Sequence, residues 1–333
     1  MDQFSAHLDR GWDLVQRGDS QGAEMSARRA LELDGQSPEA LNLLGYVCAL
    51  QGSFEEAVEH YSQAIALDDT YLEAMLNAAE VYVHPLGDFD QAIQMCELAL
   101  DLAENDDELV DALLLKFDAL LGKNDPDAAR EVCRCFPSGP FENPNHAFLV
   151  ARAYYEIGEV EQAAPLVEEA ARSAPDNPEA HYYLGLLRDE RGDTNGATQA
   201  YLRSRELDFA IPSPPWSLSA ETFLMTVRQA VAALDPALRE YLRTDEIFVA
   251  DVPGVEVVVE GVDPRGLVLL DAIAPRSEGE KPSARLFVYQ RNVERLAGTV
   301  EAVQPELRAA LEREITATFL DPERPPPADE PIN

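Results

Sequence analysis

Small and apolar residues recur along this chain every 34 residues or so, and the apolar positions between them keep helical spacing. Gly11, Gly18, Ala23 and Ala30 open the series, and Gly45, Gly52, Ala57 and Ala64 repeat it one period on. It returns as Gly158, Ala163 and Ala170, then as Gly185, Gly192 and Ala197. Small residues at the eighth and twentieth places let two helices approach where a larger side chain would overpack. Glycine before the turn supplies a backbone conformation that bulkier residues resist. The pattern predicts six helix pairs laid end to end over 4–211.

The second unit, 38–71, is the clearest, with Leu41, Leu44, Phe54 and Tyr61 filling the places between its small residues. The third, 72–106, is one residue longer, and His84-Pro85-Leu86-Gly87 is expected to absorb the insertion in its turn. The fourth, 110–143, keeps only Leu113, Leu120 and Ala129 in register, and Pro137 breaks its end. This arrangement resembles the tetratricopeptide repeat, a helix–turn–helix unit stacked into an α solenoid.

In that family the first helix of each unit lines the concave surface, so the resemblance implies a partner-binding face. Its outward places here are Trp12, Asn42, Tyr46, Asn77, Glu80, Arg152, Tyr155, Tyr182 and Asp189. Tyrosine and asparagine offer adaptable hydrogen bonds, and aromatics anchor interfaces. A sub-family of these repeats clamps chaperone C-terminal carboxylates with lysines and asparagines. This chain has no lysine before Lys116, which argues against that role.

Past residue 211 the period stops. Residues 212–217, rich in proline and ending near Trp216, read as a stiff linker. Over 218–320 the pattern predicts a helix at 218–233 and a short one opened by Asp235-Pro236. Strands are expected at Ile247–Val252, Val255–Glu260, Leu267–Ile273 and Arg285–Gln290, then helices from about Asn292 and over Val303–Phe319. Residues 321–333, with five prolines, are expected to be disordered.

The element order of 218–320 resembles the small bacterial zincin-like metallopeptidase, an α+β domain. Its last helix carries His-Glu-x-x-His-His-Phe-Gly, two histidines holding zinc and a glutamate polarising water. Laid on this chain, the motif puts Arg313 at the first histidine, Glu314 at the glutamate, and Ala317 and Thr318 at the histidine pair. All five histidines lie in the repeats, and residues 212–333 contain neither His nor Cys. Arg313 is a fixed positive charge where the cation would sit. The resemblance therefore implies a metal-less pseudoenzyme with no cofactor.

Charge narrows the partners. Of the net −36, residues 1–211 carry 14 Lys/Arg against 41 Asp/Glu, and the remainder 12 against 21. Such a field repels phosphate backbones and anionic lipid, disfavouring nucleic acid and membrane and favouring a protein with a basic or mixed-charge surface. No run approaches the ~18 apolar residues of a membrane span, and the first residues have neither the basic start nor the apolar core of a secretory signal. Cys48, Cys96, Cys133 and Cys135 read as structural thiols in a reducing cytoplasm.

No phosphate-cradling loop, nucleophile elbow or triad is present. The sequence thus points to a cytoplasmic, non-enzymatic adaptor. The alternatives are a regulator of a small GTPase or its activating protein, a chaperone for aggregation-prone clients, and a residual metallopeptidase.

Overall fold

The computed structural model describes residues 2–274 and 281–320. The chain divides by compactness between Ala174 and Pro175.

The first unit holds five helix pairs: α1 (Gln3–Gln16) with α2 (Ser20–Leu33), α3 (Pro38–Leu50) with α4 (Phe54–Leu67), α5 (Leu72–Val81) with α6 (Phe89–Leu102), α7 (Asp106–Gly122) with α8 (Pro126–Cys133), and α9 (Pro144–Glu156) with α10 (Val160–Ser173). Each pair packs on itself and leans on the next, so the core runs from one repeat into its neighbour. The small residues do what their places require. A Cβ on Gly45 would lie 2.7 Å from the ring of Tyr61, which is buried between α3 and α4.

The turns repeat at the atomic level. Gly52 has φ of 80°, and the degenerate fourth unit puts Asn124 in the same left-handed region at φ 60°. Asparagine is one of the few residues that tolerates this conformation. An acid follows each turn in most units. Asp19, Asp88 and Asp125 accept from backbone N–H groups at the start of α2, α6 and α8. Part of the chain's acidity is therefore helix capping. The insertion in the third unit is absorbed as expected, by a π-helical turn over Tyr82–Leu86 closed by Asp88 N donating to Tyr82 O at 2.9 Å.

The second unit begins with one more pair, α11 (Pro178–Glu190) and α12 (Thr194–Ala210). Then come α13 (Ala220–Ala232), α14 (Pro236–Arg239), β1 (Leu242–Ala250), α15 (Val255–Val259), β2 (Val268–Ile273), β3 (Ser283–Tyr289), α16 (Gln290–Ala297) and α17 (Val303–Ile315). The sheet order is β1-β3-β2, with β1 parallel and β2 antiparallel to β3. Leu286, Val288 and Val268 pack with Phe223 and Val227 of α13 and Leu307 and Leu311 of α17.

One expected strand is corrected: Val255–Glu260 is the short helix α15. Its β-branched run suits a strand, but only Val258 is buried, while Val255 and Val259 face water. Gly261, at φ 97°, ends the turn. Packing against α12 overrides the propensity. The expected tail at 321–333 lies outside the described residues.

The compact division falls one repeat before the change of sequence pattern at 211, and the bonding of α12 accounts for it. Arg265 is nearly buried. Its Nε donates to Asp208 Oδ2 at 2.9 Å, Nη2 to Asp208 Oδ1 at 3.2 Å, and Nη1 to Glu179 Oε2 at 2.7 Å. Its guanidinium lies 4.5 Å from the Tyr182 ring centre. Arg295 adds a second pair to Asp208 at 2.8 Å. The proline-rich segment is tied to the same unit: Arg291 Nη1 donates to Ile211 O at 3.0 Å, and Ser217 Oγ donates to the buried Glu294 at 2.7 Å.

Candidate functional site

The first helices of the first unit place side chains at a turn-by-turn spacing on one face. Glu73, Asn77 and Glu80 follow one another on α5, Asp111, Leu115 and Asp118 on α7, and Leu149 and Arg152 on α9. These residues line one cavity of about 480 Å3. Leu76 and Leu114 complete its apolar lining. A second cavity of about 230 Å3 is walled by Tyr46, Phe54, Tyr61, Val81 and Pro85. The two share Asn77, Glu80 and His84 and so adjoin.

Four of the expected residues are brought together here: Tyr46, Asn77, Glu80 and Arg152. Trp12 lies beside them, its ring centre 5.4 Å from that of Tyr46. Tyr155 is half-buried on α9. Asn42 requires a correction. It is fully buried, donating through Nδ2 to Tyr71 Oη at 3.2 Å and accepting from Asn77 Nδ2 at 2.9 Å. Its amide orders neighbouring helices and offers nothing to a ligand.

Tyr182 is corrected too. Its hydroxyl donates to Asp263 Oδ2 at 3.0 Å and its ring carries Arg265, so it is committed within its own unit. Burial pushes its hydroxyl above the usual tyrosine range, with the Asp263 charge adding to the effect. Asp189 is exposed at the end of α11.

Sequence reasoning missed Glu73, Asp111 and Asp118. The signal was present: Glu80, Asp118 and Arg152 all stand at the ninth place of their units. Electrostatically the groove is a set of acids around one guanidinium. Arg152 Nη2 lies 3.3 Å from Asp118 Oδ2 and Nε 3.5 Å from Glu156 Oε1. Even so, burial raises the carboxyls of both Asp118 and Glu156 above the usual range, the nearby Arg152 charge offsetting only part of it. Asp111 Oδ1 lies 2.9 Å from Nε2 of buried His146, whose Nδ1 faces Asp107 at 3.0 Å. Glu80 has no hydrogen bond or ion pair among the described residues.

In the second unit, exposed Arg313 and half-buried Glu314 stand on the last turn of α17 and line a cavity of about 410 Å3 with residues 261–263 and 265–269. Ala317 and Thr318 fall in a π-helical turn over Thr316–Leu320. Next to them Phe319 stacks on Tyr241, ring centres 4.8 Å apart. Among the described residues no group of three or more His, Cys, Asp or Glu is arranged to hold a metal ion.

Comparison with known proteins agrees with the helix pairs. Two tetratricopeptide repeat family models match, one over residues 8–71 and 149–210 and the other over 49–116. The human Superkiller complex protein 3 is 24% identical over 228 residues, 66% of this chain, and the chain spans 14% of that relative's length. Among solved structures, PilF of Pseudomonas aeruginosa aligns with TM-score 0.54 and 20% identity over 63% of this chain and 93% of its own. PilW, a type IV pilus biogenesis factor, aligns with TM-score 0.53 and 14% identity over 61% and 92%. Among the described residues no helix is long and apolar enough to cross a membrane. The shared left-handed turns, the small residues at the helix crossings and these matches lead to one conclusion: the chain carries tetratricopeptide repeats, a protein-interaction fold, in both of its compact units.

Proposed function

We propose that this protein is a non-catalytic adaptor that holds a partner protein in the groove of α5, α7 and α9, with residues 218–320 as a second contact surface. The observation that carries the reading is the groove itself. Four first-helix residues named from sequence converge on two adjoining cavities lined by leucines, aromatics and four carboxylates, of which Glu80 has no partner among the described residues. A surface of that kind gains by excluding water from its apolar lining while its rim selects the partner by charge.

For the second surface, the zincin-like resemblance supports a pseudo-peptidase without metal. The histidine positions of the motif are Arg313, Ala317 and Thr318, none of which ligates zinc. Glu314 then has no metal-bound water to polarise and serves as a charged group on the cavity rim.

Full-length protein carrying a photo-reactive amino acid in place of His84 tests the adaptor reading. A control carries it in place of Met25, exposed on α2. A discrete crosslinked partner is expected from the groove position and not from α2. Equal products from both positions, or none from position 84, would reject the reading. Stoichiometric zinc in purified protein, together with peptide cleavage abolished by Glu314→Gln, would restore the metallopeptidase alternative.

A further inference from the structure

We propose that the groove of α5, α7 and α9 takes a partner segment in which an arginine or lysine stands beside an aromatic or large aliphatic side chain. The proposal rests on the adaptor reading and names what the adaptor holds.

Two adjoining cavities of opposite character carry it. One is apolar and aromatic, walled by Tyr46, Phe54, Tyr61, Val81 and Pro85. The other combines leucines with four carboxylates, Glu73, Glu80, Asp111 and Asp118. Because they share Asn77, Glu80 and His84, one short stretch of chain reaches both. Glu80 is the pivot: it borders both cavities and has no partner among the described residues. The groove's guanidinium, Arg152, is already divided between Asp118 and Glu156. A further cation is therefore attracted to a partly desolvated, net-negative cleft more strongly than it would be in open water. Burial holds the Asp118 carboxyl above the usual range even beside Arg152, which marks this part of the cleft as desolvated.

The molecule supplies its own precedent. In the second unit, a repeat face already holds a guanidinium: Arg265 is gripped by Glu179, the second residue of α11, with Tyr182 beneath it. Glu73 is the second residue of α5, the corresponding place in the groove. There it has only the Tyr71 hydroxyl, at 3.5 Å. What α11 has filled from within its unit, α5 leaves open. A bare metal ion fits less well, since no three of the described carboxylates and imidazoles are arranged to hold one.

The test applies labelled full-length protein to an array of short synthetic peptides in which Lys/Arg content and Phe/Trp/Leu content vary independently. Signal is expected only where both kinds of residue are present and adjacent. Glu73→Gln combined with Glu80→Gln, both exposed and isosteric, is expected to weaken the best peptide about tenfold or more without moving the melting curve. Added salt should weaken the wild type more than this variant. Binding that ignores Lys/Arg content, binding undiminished in the double variant, or binding to no peptide would overturn the proposal. If crosslinking from position 84 persists while the array is blind to basic residues, the adaptor reading stands and this specificity falls. If both fail, both readings fall together.

Discussion

Two acidic repeat faces in this chain meet opposite fates. On α11 and α12, Glu179 and Asp208 are matched by Arg265 and Arg295. On α5 and α7, Asp118 shares Arg152 with Glu156 of α9, Asp111 meets His146, Glu73 has only the Tyr71 hydroxyl, and Glu80 has no partner among the described residues. The first arrangement is a finished interior, with each buried charge paired and hydrogen-bonded. The second is unfinished electrostatically, although the leucines beneath it are well packed. Acidity in repeats thus has two uses, one closing a unit on itself and one leaving a face that awaits a cation. Residues 1–174 hold 10 Lys/Arg against 34 Asp/Glu, so the first unit has little positive charge of its own to finish the job.

The comparison is broken most directly at Arg265. Arg265→Ala leaves Asp208, at 10% exposure, with Arg295 alone, frees Glu179 and removes the cation from the Tyr182 ring. A loss of about 3 kcal/mol is expected for such a buried, multiply bonded partner. Arg265→Lys should recover only part, because an ammonium cannot reproduce the two-pronged bond to Asp208. Urea unfolding followed by Trp216 fluorescence in a Trp12→Phe background would read it. A loss under about 1 kcal/mol would mean the closed face is not held by this charge.

Helix crossings sharpen the contrast between the units. Gly45→Ala pushes a methyl against Tyr61, which is 1% exposed and has nowhere to go, so a cost of about 2–3 kcal/mol is expected. Gly185→Ala meets Tyr201, whose ring is half-buried beside Tyr182 and not enclosed in a core, so a smaller cost of about 1 kcal/mol is expected. Equal melting shifts for the two variants would contradict this account.

Arg152→Met probes the open face. It leaves Asp118 and Glu156 without their cation, at an expected cost of about 1–2 kcal/mol near neutral pH, allowing for their partial exposure. The sign with pH follows from the raised carboxyls. A folded-state value above the unfolded one makes the native protein take up the proton first, so the penalty is full at neutral pH and is relieved as pH falls through the folded value. It should fade as the pH approaches the ordinary values of 3.8 and 4.5. Stability curves across that range, on wild type and variant, would expose the opposite slope if the argument is wrong.

The smallest effect is expected at the thiols. Cys48, Cys96 and Cys133 are buried, and burial holds Cys96 and Cys133 up at about 12, while Cys135 is exposed. Native protein should therefore offer a single fast-reacting thiol to a disulfide reagent, and Cys135→Ser should remove it with little change in stability. A second fast thiol would show that the helix pairs open more readily than their packing implies.

Much of this was legible in the chain. The turn glycines and the small residues at helix crossings are local requirements, so their spacing announced the repeats. Tyr46, Asn77, Glu80 and Arg152 were legible as well, because the resemblance to the repeat family implies that the outward places of successive first helices share one face. Asn42 was not: its burial depends on Tyr71 and Asn77, contributed by the next repeat. Asp118 escaped notice because a single acid in an acidic chain carries no mark of its desolvation. In the second unit, the valines of α15 pointed to a strand until packing against α12 is considered.

The sequence by itself determined the helix pairs, their turns, their caps and the sign of the field around them, since these depend on residues within a few positions of one another. Tertiary structure alone decided which acids are satisfied. Arg265 reaches Glu179 across 86 positions, which no repeat register encodes, and Arg152 reaches Asp118 across 34, one repeat period, whose register gives the neighbourhood and not the burial of the pair. Desolvation and Coulomb energy depend on distances through space, which the chain sets only once its cores have packed.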